Sequence, residues 1–401
     1  MLRGTRCFCL TRFARICKIK RFDLFVQRKG DGAVSKVKDF VKQELTLCAA
    51  FAAALISCFF VPPDGEYWDY IDFRTLALLY CLMVVVAGLR HAGAFTVLAH
   101  KLCAKATSVR AMGLTLALLC FFSAMLITND VALLTFVPFA VVVLGMAHQE
   151  KELIFVVVLQ TVAANLGSVL TPVGNPQNLY LYSRYELSMT DFLSATAPLW
   201  LLSLLAVLLL SLRLPRERVN VFLGEAPGMD KRSLTLYLAL FGLCLLVVLR
   251  LLSWQWMLGI LLLVLLALDR RRLLKADFLL LLTFVCFFIF SGNLARIGAV
   301  EALLRRLLSG RELLTAALTS QIISNVPAAL LLSGFTDAGR ELLLGVNIGG
   351  LGTPVASLAS LISLKLYSHS EHASTGRYLS LFSAVNFALL GLLLILYLNI
   401  M

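Results

Sequence analysis

Composition alone excludes a soluble globular protein. The chain has 401 residues, 60% of them hydrophobic and only 15% charged, with a mean hydropathy of +0.89, far more apolar surface than one soluble core can hide. The formal net charge of +13 does not point to nucleic acid as a partner. The cations sit in an N-terminal leader and in short loops between apolar segments, as the positive-inside rule describes.

Residues 1–44 form a basic leader with twelve Lys or Arg against four acids. No apolar core precedes Leu45, and no small-residue cleavage site follows the first apolar run. A cleaved signal peptide is therefore not expected. The leader reads as a cytoplasmic amphipathic segment on anionic lipid, or equally as a plain basic tail. Apolar segments follow at 45–61, 73–90, 111–128, 131–147, 151–184, 192–212, 233–252, 255–268, 277–291, 312–332, 340–366 and 377–400. The loop 62–72 is acidic, with Asp64, Glu66, Asp69 and Asp72, whereas the loops holding Lys101, Arg216 and Arg271 are basic. With the N-terminus cytoplasmic, those basic loops also fall inside if 111–147 and 312–332 each return to the side they enter from, as re-entrant hairpins. Nine crossings result, with the C-terminus outside. Arg296, Arg305 and Arg306 then lie outside, so 294–309 reads as an interfacial amphipathic helix. The expected location is a multi-pass position in the plasma (inner) membrane.

The ten cysteines have no paired spacing, and the five histidines are scattered. No disulfide framework and no metal cluster is expected. The "GLGTP" at 350–354 lacks the GK[ST] ending of a phosphate loop. No HExxH, GxSxG or paired-Asp motif is present, so the chain does not read as an enzyme. No nucleotide-binding module is present either, so energy coupling falls to an ion gradient or a separate subunit.

The segment at 151–184 contains "SVLTPVGNPQNLYLYS" (168–183), which interrupts an apolar run. Proline breaks a helix, and bare amides in hydrocarbon cost several kcal/mol each unless paired. Such a break is tolerable only where it lines a cavity or is buried in protein. The chain then repeats itself. "ANLGSVLTPVGN" at 164–175 matches "VNIGGLGTPVAS" at 346–357 without a gap. "TNDVALL" at 128–134 matches "SNVPAALL" at 324–331, and "AGAF" at 92–95 echoes "IGAV" at 297–300. Three matches in one order indicate a duplication. The extra crossing at 233–252 sets the second copy upside down, which is the architecture of secondary transporters.

The expected fold is thus an all-α polytopic membrane protein of two inverted-topology repeats, each with a re-entrant helical hairpin and a broken transmembrane helix. Residues 45–212 form the first repeat (hairpin 111–147, broken helix 151–184), 213–232 a cytoplasmic linker, and 233–400 the linking helix and second repeat (hairpin 312–332, broken helix 340–366). Half-helix N-termini favour anions, and freed carbonyls favour cations. The candidate substrate and ion ligands are Thr128, Asn129 and Asp130 at the first tip, and Thr171, Gly174, Asn175, Gln177 and Asn178 at the first break. Ser324 and Asn325 at the second tip join Asn347, Gly349, Gly350 and Thr353 at the second break. Asp130 is the only acid well inside an apolar segment, and an intramembrane carboxylate is a functional candidate. Its alternative is a partner for a nearby Arg or backbone donor. The bland readings are structural kinks for the breaks and interhelical bonding for the Asn residues.

Four stretches, "ITNDVALLTFVP", "TPVGNPQNLYLY", "SQIISNVPAALLL" and "GVNIGGLGTPVASLASLISLKLY", resemble the ion transporter superfamily. Within it they look like the citrate-transporter-like anion permeases, which are related to the divalent anion/sodium symporters and the arsenite permeases. The resemblance covers roughly residues 45 to 400. It implies two inverted repeats, a homodimer and an elevator motion, with substrate between the hairpin tips. It also implies Na+ as coupling ion at Asp130, Asn129 and Asn175 and at Asn325 and Asn347, with no other cofactor. In the dicarboxylate members each tip carries Ser-Asn-Thr. Here the tips read Thr128-Asn129-Asp130 and Ser324-Asn325-Val326, and the third position departs in both.

The expected activity is secondary active transport of a small anion, an organic carboxylate or inorganic oxyanion, coupled to Na+ or H+. An arsenite or antimonite efflux permease is a second reading. A passive anion channel is a third, of another class.

Overall fold

The computed structural model describes residues 44–219, 228–370 and 373–400. The basic leader and part of the 213–232 linker lie outside the described residues. Among those residues the chain is helical throughout, with one isolated β-bridge between Ser108 and Arg218. Helices α1 (Leu45–Phe60), α2 (Phe73–His91) and α3 (Ala94–Cys103) lead into a pair, α4 (Val109–Ile127) and α5 (Asn129–Met146). Next, α6 (Glu150–Gly167) stops at a break, the chain resumes as α7 (Pro176–Arg184), and α8 (Met189–Ser211) ends the first half. The linking helix is α9 (Lys231–Val248). It is followed by α10 (Trp254–Leu268), α11 (Phe278–Ala295) and α12 (Gly298–Leu308). The second pair is α13 (Glu312–Ile323) and α14 (Asn325–Leu332). A second broken helix, α15 (Gly339–Ile348) and α16 (Leu358–Ser368), precedes α17 (Thr375–Ile400).

Eight helical stretches among the described residues are long and apolar enough to cross a membrane. The protein is an all-α polytopic membrane protein. Both arms of the first pair are among the eight, so their length admits a crossing as well as a return. The arms of the second pair have 12 and 8 residues, about 18 and 12 Å at 1.5 Å per residue, too short to span.

In each pair one residue joins the helices, and the two helices pack on one another. A chain running straight on would touch itself only at the joint, so both pairs are hairpins. The joints are Thr128 (φ 71°, ψ 151°) and Ser324 (φ 76°, ψ 155°). That region of backbone space is essentially reserved for glycine and costs on the order of 1–3 kcal/mol for other residues.

Apolar packing forms two cores. One gathers α4, α5, α6 and α8 with α16 and α17. The other gathers α2, α7, α9, α10, α11 and α14. Helix α6 belongs to the first core and its continuation α7 to the second, so the first break lies on the seam between them. Pro138 lies inside α5, where it removes the bond to the carbonyl four residues back. That carbonyl, of Leu134, accepts instead from Arg90 Nη2 at 3.4 Å. Arg296, just past α11, is held at the acidic loop. Its Nη1 lies 2.8 Å from Asp64 Oδ2, 3.5 Å from Glu66 Oε2 and 3.0 Å from the Tyr70 hydroxyl. Helix α12 buries only Leu308.

Candidate functional site

The two hairpin tips are built alike. Each turns at the strained residue, and each then starts a helix with Asn. Asn129 Oδ1 accepts from the Asp130 amide at 2.9 Å, and Asn325 Oδ1 accepts from the Val326 amide at 2.9 Å. Bracing from the breaks is also alike. The Thr171 hydroxyl donates to the Met125 carbonyl, four residues before Asn129. The Thr353 hydroxyl donates to the Gln321 carbonyl at 3.0 Å, four residues before Asn325. Gly167 lies against the Phe121 backbone and Gly349 against the Ala317 backbone, so closely that a Cβ on either would overlap it.

At each break the freed carbonyls meet a side-chain amide. Asn178 Nδ2 donates to the carbonyls of Ser168 (3.4 Å), Val169 (3.2 Å) and Thr171 (3.3 Å). Gln321 Nε2 donates to Gly349 O (2.9 Å) and Leu351 O (3.0 Å), and its Oε1 accepts from the Thr353 amide at 2.9 Å. These bonds satisfy groups that a broken helix would otherwise leave bare in a low-dielectric interior.

The last helical Asn before each break reaches across to the opposite half of the chain. Asn347 Nδ2 donates to Asn178 Oδ1 at 2.7 Å, and Asn347 Oδ1 accepts from Asn175 at 3.4 Å. In return, Asn165 Oδ1 accepts from Ser357 Oγ at 3.0 Å, and Asn165 Nδ2 donates to Ser360 Oγ at 3.3 Å. In the ungapped alignment Asn165 pairs with Asn347, Asn175 with Ser357 and Asn178 with Ser360. The exchange is therefore reciprocal, as a two-fold relation between the halves would make it. Asn165 also accepts from Asn129 Nδ2 at 3.2 Å, which ties the first tip into the same network.

Between the tips lies a small cavity of about 10 Å³, room for a single water. It is lined by Asn129 and Asp130 from α5, Pro176 and Gln177 from α7, Asn325 and Val326 from α14, and Ser357 and Leu358 at the start of α16, with Leu280 of α11 as an apolar side. Each of the four polar walls is a helix N-terminus. Pro176 starts α7 with Asn175 as its N-cap, whose Oδ1 accepts from Asn178 N at 3.3 Å. Four helix N-termini thus border one cavity, and no Lys, Arg or His among the described residues lines it. Each such end stabilises negative charge by about 0.3–1 kcal/mol when exposed and up to ~2 when partly buried. Gln177 is 1% exposed, and its Nε2 has no partner among the described residues.

The expected ligands therefore divide into two groups. Asn129, Asp130, Gln177 and Asn325 line the cavity. Asn175, Asn178, Asn347, Thr171 and Thr353 stand behind its walls and hold the breaks in shape. Gly174 packs on the Ser168 backbone and Gly350 beside the Asn325 amide, while Thr128 and Ser324 turn the tips. Within the expected broken helices the α-helical runs are interrupted over 168–175 and 349–357, and Pro176 opens a helix rather than ending one. Sequence reasoning passed over Asn165, Gln321, Ser357 and Ser360. Gln321 carried a signal: a second amide one turn before Asn325 in an apolar run.

The sequence profile of the citrate transporter family matches residues 41–338, which takes in both tips and the first break. An uncharacterised transporter of Methanocaldococcus jannaschii is 32% identical over 316 residues, 78% of this chain and 86% of that protein. The inner membrane protein YbiR of Escherichia coli is 33% identical over 314 residues, 77% of this chain and 84% of its own length. The silicon efflux transporter LSI3 of Oryza sativa subsp. japonica is 31% identical over 153 residues, 38% of this chain and 31% of that one. A family match over most of the chain, and relatives aligned along most of their length, give one conclusion: the chain is a membrane transporter belonging to the citrate transporter family, in the anion permease branch of the ion transporter superfamily.

Proposed function

We propose that the chain is a secondary active transporter of a small anion, an organic carboxylate or inorganic oxyanion, bound between the two tips and moved by alternating access. The observation that supports this reading is the meeting of four helix N-termini around one cavity. Gln177, which lines the same cavity, adds a buried donor, its Nε2, that has no partner among the described residues. Asp130 would hold the coupling cation, since a carboxylate beside the substrate anion would repel it. Side-chain amides already occupy the freed carbonyls of both breaks, which favours H+ at Asp130 over Na+ as the coupled ion. The same proposal places the chain in the plasma membrane, N-terminus cytoplasmic, as a homodimer.

The test is a thermal-shift screen of purified protein against carboxylates, phosphate, sulfate and metalloid oxyanions, with and without Na+ and across pH. A transported anion should raise the melting temperature. Gln177→Leu should weaken that anion about tenfold, the value of one lost hydrogen bond, while leaving the melting temperature without ligand in place. An anion that binds Gln177→Leu as well as the parent protein would sink the reading.

A second reading is export of a weak oxyacid in neutral form, such as arsenite or antimonite. The absence of a basic side chain from the cavity lining favours it, and the name of the rice relative, a silicon efflux transporter, is of that kind. Transport that tracks the concentration of the uncharged acid as pH varies would select it over the anion.

A further inference from the structure

A second, larger cavity of about 400 Å³ opens further along the helices that line the first. On α7 the first cavity touches Gln177, and the second touches Tyr180 and Arg184. On α14 the same step runs from Val326 to Leu330, and on α11 from Leu280 to Phe288 and Ser291. One helical turn, about 5.4 Å, separates the two on α7 and α14. An aromatic layer fills that turn. The Tyr180 and Phe288 rings lie 5.6 Å apart, and fully buried Phe284 meets Phe288 edge-on at 6.1 Å. The Tyr180 hydroxyl is tied to Ser333 Oγ at 2.8 Å, which restrains the ring.

Arg184 is the one cation among the residues lining this cavity. It sits one turn beyond Tyr180, on the same face of α7. Two carboxylates of the acidic loop also border the space. Asp72 is engaged as the N-cap of α2, where it accepts from the amide and the hydroxyl of Thr75. Asp69 sits on the exposed loop. Arg184 appears in no ion pair among the described residues. The guanidinium is exposed and lies beside the Tyr180 side chain, where it can take a solute anion against the repulsion of the two carboxylates.

We propose that this cavity is a second binding site, in which Arg184 captures a small anion before it passes the Tyr180–Phe288 layer to the inner site. The inference rests on the anion reading of the inner site. It assigns the guanidinium that the inner site lacks to the approach rather than to the destination. Selection by charge would then take place at the outer cavity, and selection by shape and hydrogen bonding between the tips.

The test uses the full-length protein carrying Ser291→Cys, a change of one atom at a lining position, with the parent protein as blank. The probes are two thiol reagents of equal reach, the sulfonate and trimethylammonium ethyl methanethiosulfonates. Removing one positive charge beside the thiol, Arg184→Gln should lower the sulfonate-to-ammonium rate ratio about tenfold, the smaller end of electrostatic focusing in a cleft. Arg184→Lys should restore the ratio. A ratio indifferent to Arg184→Gln, or a Ser291→Cys thiol that neither reagent reaches, would overturn the proposal. Because these rates read the outer cavity alone and Gln177→Leu reads the inner one, failure of either reading is visible without the other.

Discussion

The two hairpin tips have the same backbone and different chemistry. Thr128 and Ser324 turn through the same strained geometry, and Asn129 and Asn325 cap the following amide at the same distance. Yet one tip offers Asp130 where the other offers buried Val326. The breaks repeat the pattern: Asn175 and Asn178 in one copy stand where Ser357 and Ser360 stand in the other. Shape is shared between the tips and charge is not. Under the proposed function, the shared geometry would serve a task common to both halves, closing around a solute, and the carboxylate a task needed once.

The largest effect that could break this comparison comes from the shared residue. Asn129→Ala and Asn325→Ala should each cut transport on the order of 100-fold, because each removes an amide that lines the cavity and leaves a bound solute without that partner. Expression and melting temperature should change little by comparison. If transport assays found Asn325→Ala near normal and Asn129→Ala dead, the second tip would be scaffold only.

The next tests the unshared residue. Asp130→Asn keeps the shape and removes the charge. It should retain counterflow exchange in proteoliposomes and lose gradient-driven accumulation. An Asp130→Asn protein that still concentrates substrate, with unchanged Na+ and pH dependence, would place the coupling elsewhere.

The smallest effect reads the strain itself. Thr128→Gly and Ser324→Gly should each raise stability by roughly 1 kcal/mol, the relief of a disfavoured backbone less the entropy glycine loses on folding. β-Branched Thr128 should gain more than Ser324. Melting temperatures that fall in both would mean the hydroxyls hold more than the backbone costs.

Much of this was legible in the chain. Long apolar segments announced the membrane, and two ordered motif matches located both tips and both breaks. The break boundaries were not legible, because proline both ends helices and starts them, and Pro176 does the second. The unusual backbone at Thr128 and Ser324 carries no mark, since neither residue type advertises positive φ. The crossed bonds of Asn165 and Asn347 were out of reach for a deeper reason. They join positions in opposite halves, and nothing local to either residue names its partner.

That crossing has a consequence for how the protein is made. Asn178 finds its Asn347 partner 169 residues further along the chain. At 5–20 residues per second, synthesis separates them by on the order of ten seconds or more. Through that interval the first half sits in the bilayer with its break half-stitched, and the Asn178 amide oxygen lacks its final donor. The nascent first half should therefore be the vulnerable species in biogenesis, a substrate for insertion factors and membrane proteases until the second half arrives to close it.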